Sequence, residues 1–459
     1  MTLVAGVDSS TQATKVLVVD ADSGEVVREG RAAHPDGTEC PPAAWWSAFL
    51  ESSAGLLDGV EAISVGGQQH GMVLVDDSGD VVRPALLWND TRSAAESLDL
   101  IDEFGGAQQW ADAVGSVPVA SFTVTKLRWM AHHEPDALRR AAMVMLPHDW
   151  VTWQLTGGSC FDATTDRGDA SSTGYWSPIT DAYRHDVLTL AAGRELGVPR
   201  VAAPSDVVGH TSDGIAVGPG TGDNPAAALG VSAEVGDVVI SLGTSGTAFA
   251  VSQTPAHDAS GQVAGFADAA GRYLPLVCTL NAARVLGAAA HLLGVNFDQF
   301  SDLALAAPPG SGGLTLVPYL DGERTPNLPD ATGTLFGMTR DNMTPECVAR
   351  AAVEGMLCGL ADAVDALAMQ GVVPRRFLLV GGAAASPAVQ QVAASLFGGE
   401  VTVPEPGEYV ALGAARQAAW IMRGGSEPPR WNGSSTVIIA AAPAPQVRAR
   451  YAEVAGGLR

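Results

Sequence analysis

The chain opens on an apolar run, Leu3 to Val7, that stops at Asp8. A second run, Thr14 to Asp20, follows the small polar string Ser9-Ser10-Thr11-Gln12, and Asp22-Ser23-Gly24 turns the chain into a third, Glu25 to Ala32. Extended runs joined by small residues predict a β-hairpin whose turn presents N–H groups and hydroxyls to an anion. Pro42 to Leu57, with Trp45, Trp46, Phe49 and Leu50, predicts an amphipathic helix. Ile63 to Gly66 predicts a buried strand that runs into Gly67-Gln68-Gln69-His70-Gly71. A polar cluster bracketed by glycines just past a parallel strand is where α/β sheets bind ligands. Met72 to Val75 and Val81 to Val82 predict a hairpin about Asp76–Asp80. Pro84 to Trp88 leads to a second polar cluster, Asn89-Asp90-Thr91-Arg92, ahead of a helix over Ala94 to Phe104 that Asp90 is placed to cap. The region from Gly105 to Pro204 reads as helix-rich, and its polar segment Thr164–Ser171 as a loop, lining a cleft or plain.

The second half repeats the opening. Gly236 to Leu242 ends in Gly243-Thr244-Ser245-Gly246-Thr247 and resumes as Ala248 to Val251. Two such hairpins half a chain apart predict a duplicated α/β architecture divided at 1–235 and 236–459. Asn281 to Leu293 and Thr344 to Met369 predict helices. Phe377 to Val380 predicts a strand ending in Gly381-Gly382-Ala383-Ala384, small residues that let a nucleotide approach the main chain. Ala411 to Ile421 predicts an Ala-rich helix, and a Pro-, Gly- and Ser-rich tail after Gly424 ends in a helix over Pro445 to Val454.

Val217 to Leu229, VGPGTGDNPAAAL, is a glycine-rich turn leading into a helix, with Asp223 and Asn224 at its entry and Pro225 at its first position. Asp223 has two readings there, an N-cap or a general base. Two halves, each with a hairpin and covering helices, predict a cleft with a pyrophosphate between the turns, Asp8 holding Mg²⁺ through water and Asp223 facing the terminal phosphate. No GxxxxGK[ST] is present, so no Walker lysine serves this chemistry.

Composition narrows the partners. A formal net charge of −24 argues against nucleic acid and anionic membranes. Lys15 and Lys126 are the only lysines, so phosphate must be held mostly by backbone N–H groups, Mg²⁺ or arginine. The five cysteines include no CxxC pair, which suggests neither a zinc site nor a disulfide framework. No basic leader or long apolar window occurs, and the reducing cytoplasm is the expected compartment. A homodimer is compatible with the sequence.

Ten strings in order, GVDSSTQATK, GGQQHG, LLWNDTR, LPHDW, TDRGDAS, GTGDN, SLGTSGT, PYLDGERTPN, LVGGAAAS and ALGAARQA, resemble those of the FGGY carbohydrate kinases, and within them the xylulokinase branch. The resemblance implies a two-lobed actin-like (ribonuclease H-like) ATPase fold and transfer of the γ-phosphate of ATP, with Mg²⁺, to the 5-hydroxyl of D-xylulose. It implies Asp223 as proton acceptor, Asp8 as the acid working with Mg²⁺, and Gln69, His70, Asn224, Asp90 and Trp88 at the sugar. It places Ser10, Thr11, Lys15, Gly243, Thr244, Ser245, Gly381, Gly382 and Ala383 at the nucleotide. Ser10, Ala13 and Ala383 stand where the family usually has glycine, and Gln69 where the branch usually has methionine. Alternatives are a kinase of ribulose, glycerol or gluconate, and an actin-like ATPase without sugar transfer.

Overall fold

The opening hairpin forms as its pattern predicts, with Leu3–Ser9 antiparallel to Ala13–Asp20 and Asp8 opposite Lys15. The computed structural model describes residues 1–431 and 436–457. They fall into two units: Met1–Ala233 with Ser252–Leu274 and Glu408–Gly433, and Glu234–Val251 with Pro275–Gly407 and Ser434–Arg459.

In the first unit the sheet runs Gly209–His210, Ala216–Val217, Val60–Gly67, Leu3–Ser9, Ala13–Asp20, Val26–Ala33. Val60–Gly67 is parallel to Leu3–Ser9 and covered on both faces, so it reads as a nearly continuous apolar run. Thr221–Gly222 pairs with its far end, Gly66–Gly67. That pairing brings the two glycine-rich turns of the sequence, one after Gly67 and one before Asp223, to the same sheet end.

The second unit repeats this order. Tyr273–Thr279, Gly246–Ala250, Asp237–Leu242, Arg376–Val380, Glu400–Pro404 and Thr436–Ala440 lie side by side, and Asp237–Leu242 is again antiparallel to its hairpin mate and parallel to the later strand.

Several segments differ from the sequence pattern. The helix from Pro42 ends at Ser53, because Ala54 leaves helical geometry and Gly55 follows at φ +72°. Val73–Val75 pairs with Met143–Met145, and the expected hairpin to Val81–Val82 shrinks to one bridge at Val75–Val81. Thr164–Asp166 is a strand beside Arg200–Ala202, and Arg167–Ala170 is a short helix capped by the Asp166 carboxylate, not a loop. The tail after Gly424 contains the strand Thr436–Ala440; its residues 432–435 lie outside the described residues.

The helix Tyr409–Arg423 covers the first sheet at backbone contact. A Cβ on Gly6 would lie 1.9 Å from the Ala411 carbonyl oxygen, and one on Gly413 would lie 1.8 Å from that of Ala226 in the helix Asp223–Gly230. Only glycine permits that approach. The same helix carries Gln417, fully buried, which donates to the Gly220 carbonyl (3.1 Å), accepts from the Gly220 N–H (3.0 Å) and accepts from the Ser64 hydroxyl.

Candidate active site

At the first hairpin, Asp8 is buried and its Oδ1 has no hydrogen-bond partner among the described residues. Its Oδ2 lies 3.4 Å from Lys15 Nζ, which donates to Glu408 at 2.5 Å. Burial pushes the Asp8 carboxyl up to about 6 against the pull of Lys15. Ser10 and Thr11 form the turn, closed by Ser10 N–H and Oγ–H donating to the Ala13 carbonyl. Neither Ser10 nor Ala13 has positive φ, so the conformation of this turn does not itself require glycine. Trp88 is 37% exposed and donates from Nε1 to Thr11 Oγ1 at 2.8 Å, which joins the second polar cluster to the hairpin turn.

Past the strand Val60–Gly67, His70 sits at φ +68°, an unusual conformation for a residue with a side chain. It donates from Nδ1 to the Ser172 carbonyl (2.7 Å), its own carbonyl accepts from Thr123 (2.9 Å), and its ring stacks on Phe122 with centroids 4.8 Å apart. Gln69 points the other way. Its Oε1 accepts from Asn224 Nδ2 at 2.8 Å, while its buried Nε2 has no partner among the described residues. Asn224 also donates from its backbone N–H and from Nδ2 to Asp223 Oδ1, at 2.8 and 2.9 Å. Gln69, Asn224 and Asp223 are therefore one hydrogen-bonded chain.

Asp223 is not the N-cap. Gly222 takes that place, and Asp223, Asn224 and Pro225 are the first three helical residues. The carboxylate thus sits in the first turn of a helix, aimed by Asn224. Asp223 is half-buried, and its desolvation pushes the pKa up to about 7, helped by the negative charges of Asp169 and then Asp8. A carboxyl poised near neutrality is suited to taking a proton from an alcohol.

Asp90 does not cap the following helix, whose N-cap is Ser93. Both Asp90 oxygens are taken by the Arg92 guanidinium at 2.8 Å, which holds its carboxyl below the usual range. Lys126, fully buried beneath this loop, donates to the Ala120 and Ser121 carbonyls at 2.7 and 3.0 Å, and burial pushes its ammonium down to about 7.

In the second unit the Gly243-Thr244-Ser245 turn and the Gly381-Gly382-Ala383 turn are neighbours. A Cβ on Gly381, at φ +90°, would lie 2.8 Å from the carbonyl of Leu242, the residue before Gly243. Gly382 has open space beside it, and Ala383 has no positive φ. Arg284 donates to the Thr244 carbonyl at 3.3 Å and pairs with Asp321.

Gln68, within the Gly67–Gly71 cluster, is fully buried with neither amide atom partnered among the described residues, a feature its neighbours in the sequence do not signal. Nor does the sequence pattern single out Gln417, or the buried group His148, Asp149, Asp166 and Asp169. Charged residues in the LPHDW and TDRGDAS strings were the available signal.

Residues 3–242 match the N-terminal domain of the FGGY family of carbohydrate kinases, and residues 238–422 its C-terminal domain. The chain belongs to the FGGY family of carbohydrate kinases. A xylulose kinase of Streptomyces coelicolor is 46% identical over 456 residues, 95% of this chain and 92% of that protein. One from Escherichia coli is 33% identical, covering 90% and 89%. The crystal structure of a xylulose kinase from Bifidobacterium adolescentis superposes with a TM-score of 0.93 at 44% identity, covering 99% of both chains. This FGGY chain has the mixed α/β, actin-like ATPase fold expected from its sequence, with a sheet in each unit, and is a phosphotransferase of the sugar-kinase type.

Proposed function

We propose that this kinase transfers the γ-phosphoryl group of ATP to the 5-hydroxyl of D-xylulose, with Asp223 as general base. The observation that carries the reading is the chain Gln69–Asn224–Asp223, which places a near-neutral carboxylate beside an unpartnered buried amide. The high identity to xylulose kinases supports the choice of sugar.

The donor set fits Mg²⁺. Asp8 offers a hard oxygen, Oδ1, that is buried and has no partner among the described residues. Asp8 would hold Mg²⁺ there through water, and the ion would supply positive charge to the phosphate oxygens. Asp223 accepts the proton of the sugar hydroxyl while both Asn224 donors stay on Oδ1 and fix its orientation. Gln69 Nε2 and His70 contact the sugar, and Trp88 closes the site beside Thr11. The Asp90–Arg92 pair ties that loop together. Ser10, Thr11 and Lys15 serve the phosphates in the first unit. In the second, Gly243, Thr244 and Ser245 take phosphate oxygens and Gly381, Gly382 and Ala383 take adenosine, both through main-chain groups.

With Mg-ATP, ADP release across a panel of ketoses, aldoses and polyols should be fastest with D-xylulose and yield its 5-phosphate. Faster turnover of ribulose, glycerol or gluconate, or ADP release indifferent to every sugar, would overturn the assignment. The base must be ionised, so kcat/KM should rise with pH through a limb near 7. A profile flat from pH 5 to 8 would contradict that role for Asp223.

A further inference from the structure

His148 and Asp149 open the helix Pro147–Thr156, and both are buried. A Cβ on Gly67 would come within 2.8 Å of His148 Cβ, and one on Gly220 within 2.5 Å of His148 Cδ2. The residue is the floor beneath the two glycine turns that carry Gln69 and Asp223. Its Nδ1 lies 2.6 Å from Asp169 Oδ2, and its Nε2 3.3 Å from Asp149 Oδ1. Asp169 Oδ1 accepts from the Ser172 hydroxyl at 3.0 Å, and the Ser172 carbonyl holds His70. In the same segment, Asp166 accepts from Thr221 Oγ1 at 2.7 Å, two residues before Asp223.

We propose that His148 and Asp169 form a buried ion pair that positions Asp223 and balances the charge around it, without touching the sugar. The inference rests on the assignment of Asp223 as base. The imidazole is hydrogen-bonded to Asp169 through Nδ1 and faces Asp149 with Nε2 at 3.3 Å: burial opposes the charge, but Asp149, Asp169 and Asp166 outweigh it and push the His148 pKa up to about 9, while burial pushes Asp149 itself up to about 7 and Asp166 up to about 6. After burial, Asp169 is the largest influence on Asp223, and Asp8 the next. Lys15 and Glu408 flank Asp8, and the buried Tyr175 and half-buried Tyr183 stay neutral because desolvation and the charges of Asp149 and Asp169 raise their pKa values. Removing the anion of the pair should therefore ease ionisation of Asp223, and removing its cation should hinder it.

The test compares pH profiles of kcat/KM for the parent, Asp169→Asn and His148→Gln, with ¹⁵N NMR of the parent's histidines. The acid limb should move down by about one pH unit in Asp169→Asn and up by a similar amount in His148→Gln. Both variants should lose more in kcat than in KM. One imidazole of the parent should remain protonated on both nitrogens at about pH 8, where an unperturbed histidine is neutral. Limbs that stay put or move together, or no doubly protonated imidazole at that pH, would sink the proposal, and the NMR arm requires no variant to fold. Asp223→Asn separates the two readings: near-normal turnover removes the base itself, whereas an inactive Asp223→Asn with unmoved limbs in the other variants removes only the positioning pair.

Discussion

Asp223→Ala should bind sugar with little change and transfer phosphoryl groups about 10³-fold more slowly, a loss of about 4 kcal/mol in transition-state stabilisation. With the sugar contacts proposed for Gln69 and His70 intact, calorimetric affinity should hold while coupled ADP release collapses. The expected stability has the opposite sign. Burial holds the Asp223 carboxyl at about 7 in the folded state, well above the ordinary 3.8, so the folded state binds more protons than the unfolded state between those values. Stability from this group therefore falls as pH rises through that window, and its full cost is present above about 7. At pH 8 the variant should melt no lower than the parent. Near-normal turnover, or a large drop in Tm at pH 8, would speak for a structural role instead.

Gly413→Ala should be the most damaging single methyl group in the first unit. Its Cβ would stand 1.8 Å from the Ala226 carbonyl oxygen and 2.9 Å from the Gly230 nitrogen, and all these atoms are backbone. No rotamer relieves such a contact, so the helices Tyr409–Arg423 and Asp223–Gly230 must separate. Overpacking of this kind costs about 3 kcal/mol, which lowers Tm by roughly 6–12 °C for a domain of this size. Activity should fall as well, because the displaced helix carries Asp223 in its first turn. Gly287→Ala is the control. It lies within the helix Ala283–Leu293 with nothing within 4 Å of the added Cβ, and should stabilise by about 0.5–1 kcal/mol. Equal melting of the two variants would refute the close-contact account.

Sequence and structure agree most where the signal is local. Both hairpins, the strand leading into Gln69-His70 and the turn before Asp223 each follow from a few adjacent residues: apolar alternation, small-residue turns and a proline near the helix start. Their order along the chain was enough to identify the family resemblance. What the pattern misjudged was also local in appearance. Asp223 and Asp90 both look like helix caps, yet Gly222 and Ser93 occupy those places. The reason is that another partner claims each carboxylate, Asn224 for one and Arg92 for the other.

The amino-acid sequence by itself determined most of the elements, the duplicated hairpin order and the chemistry available at Asp8, Gln69, His70 and Asp223. Only the tertiary structure decided what aims and tunes that chemistry. Gln417 reaches Gly220 across 197 residues, and Asp166 reaches Thr221 across 55. His148 comes under Gly67 and Gly220 because distant segments fold onto one sheet end. The raised pKa of Asp223 follows from that same enclosure, since burial and the Asp169 charge exist only once the chain has folded. Periodicity reports which face a residue occupies, but not which remote side chain will meet it there.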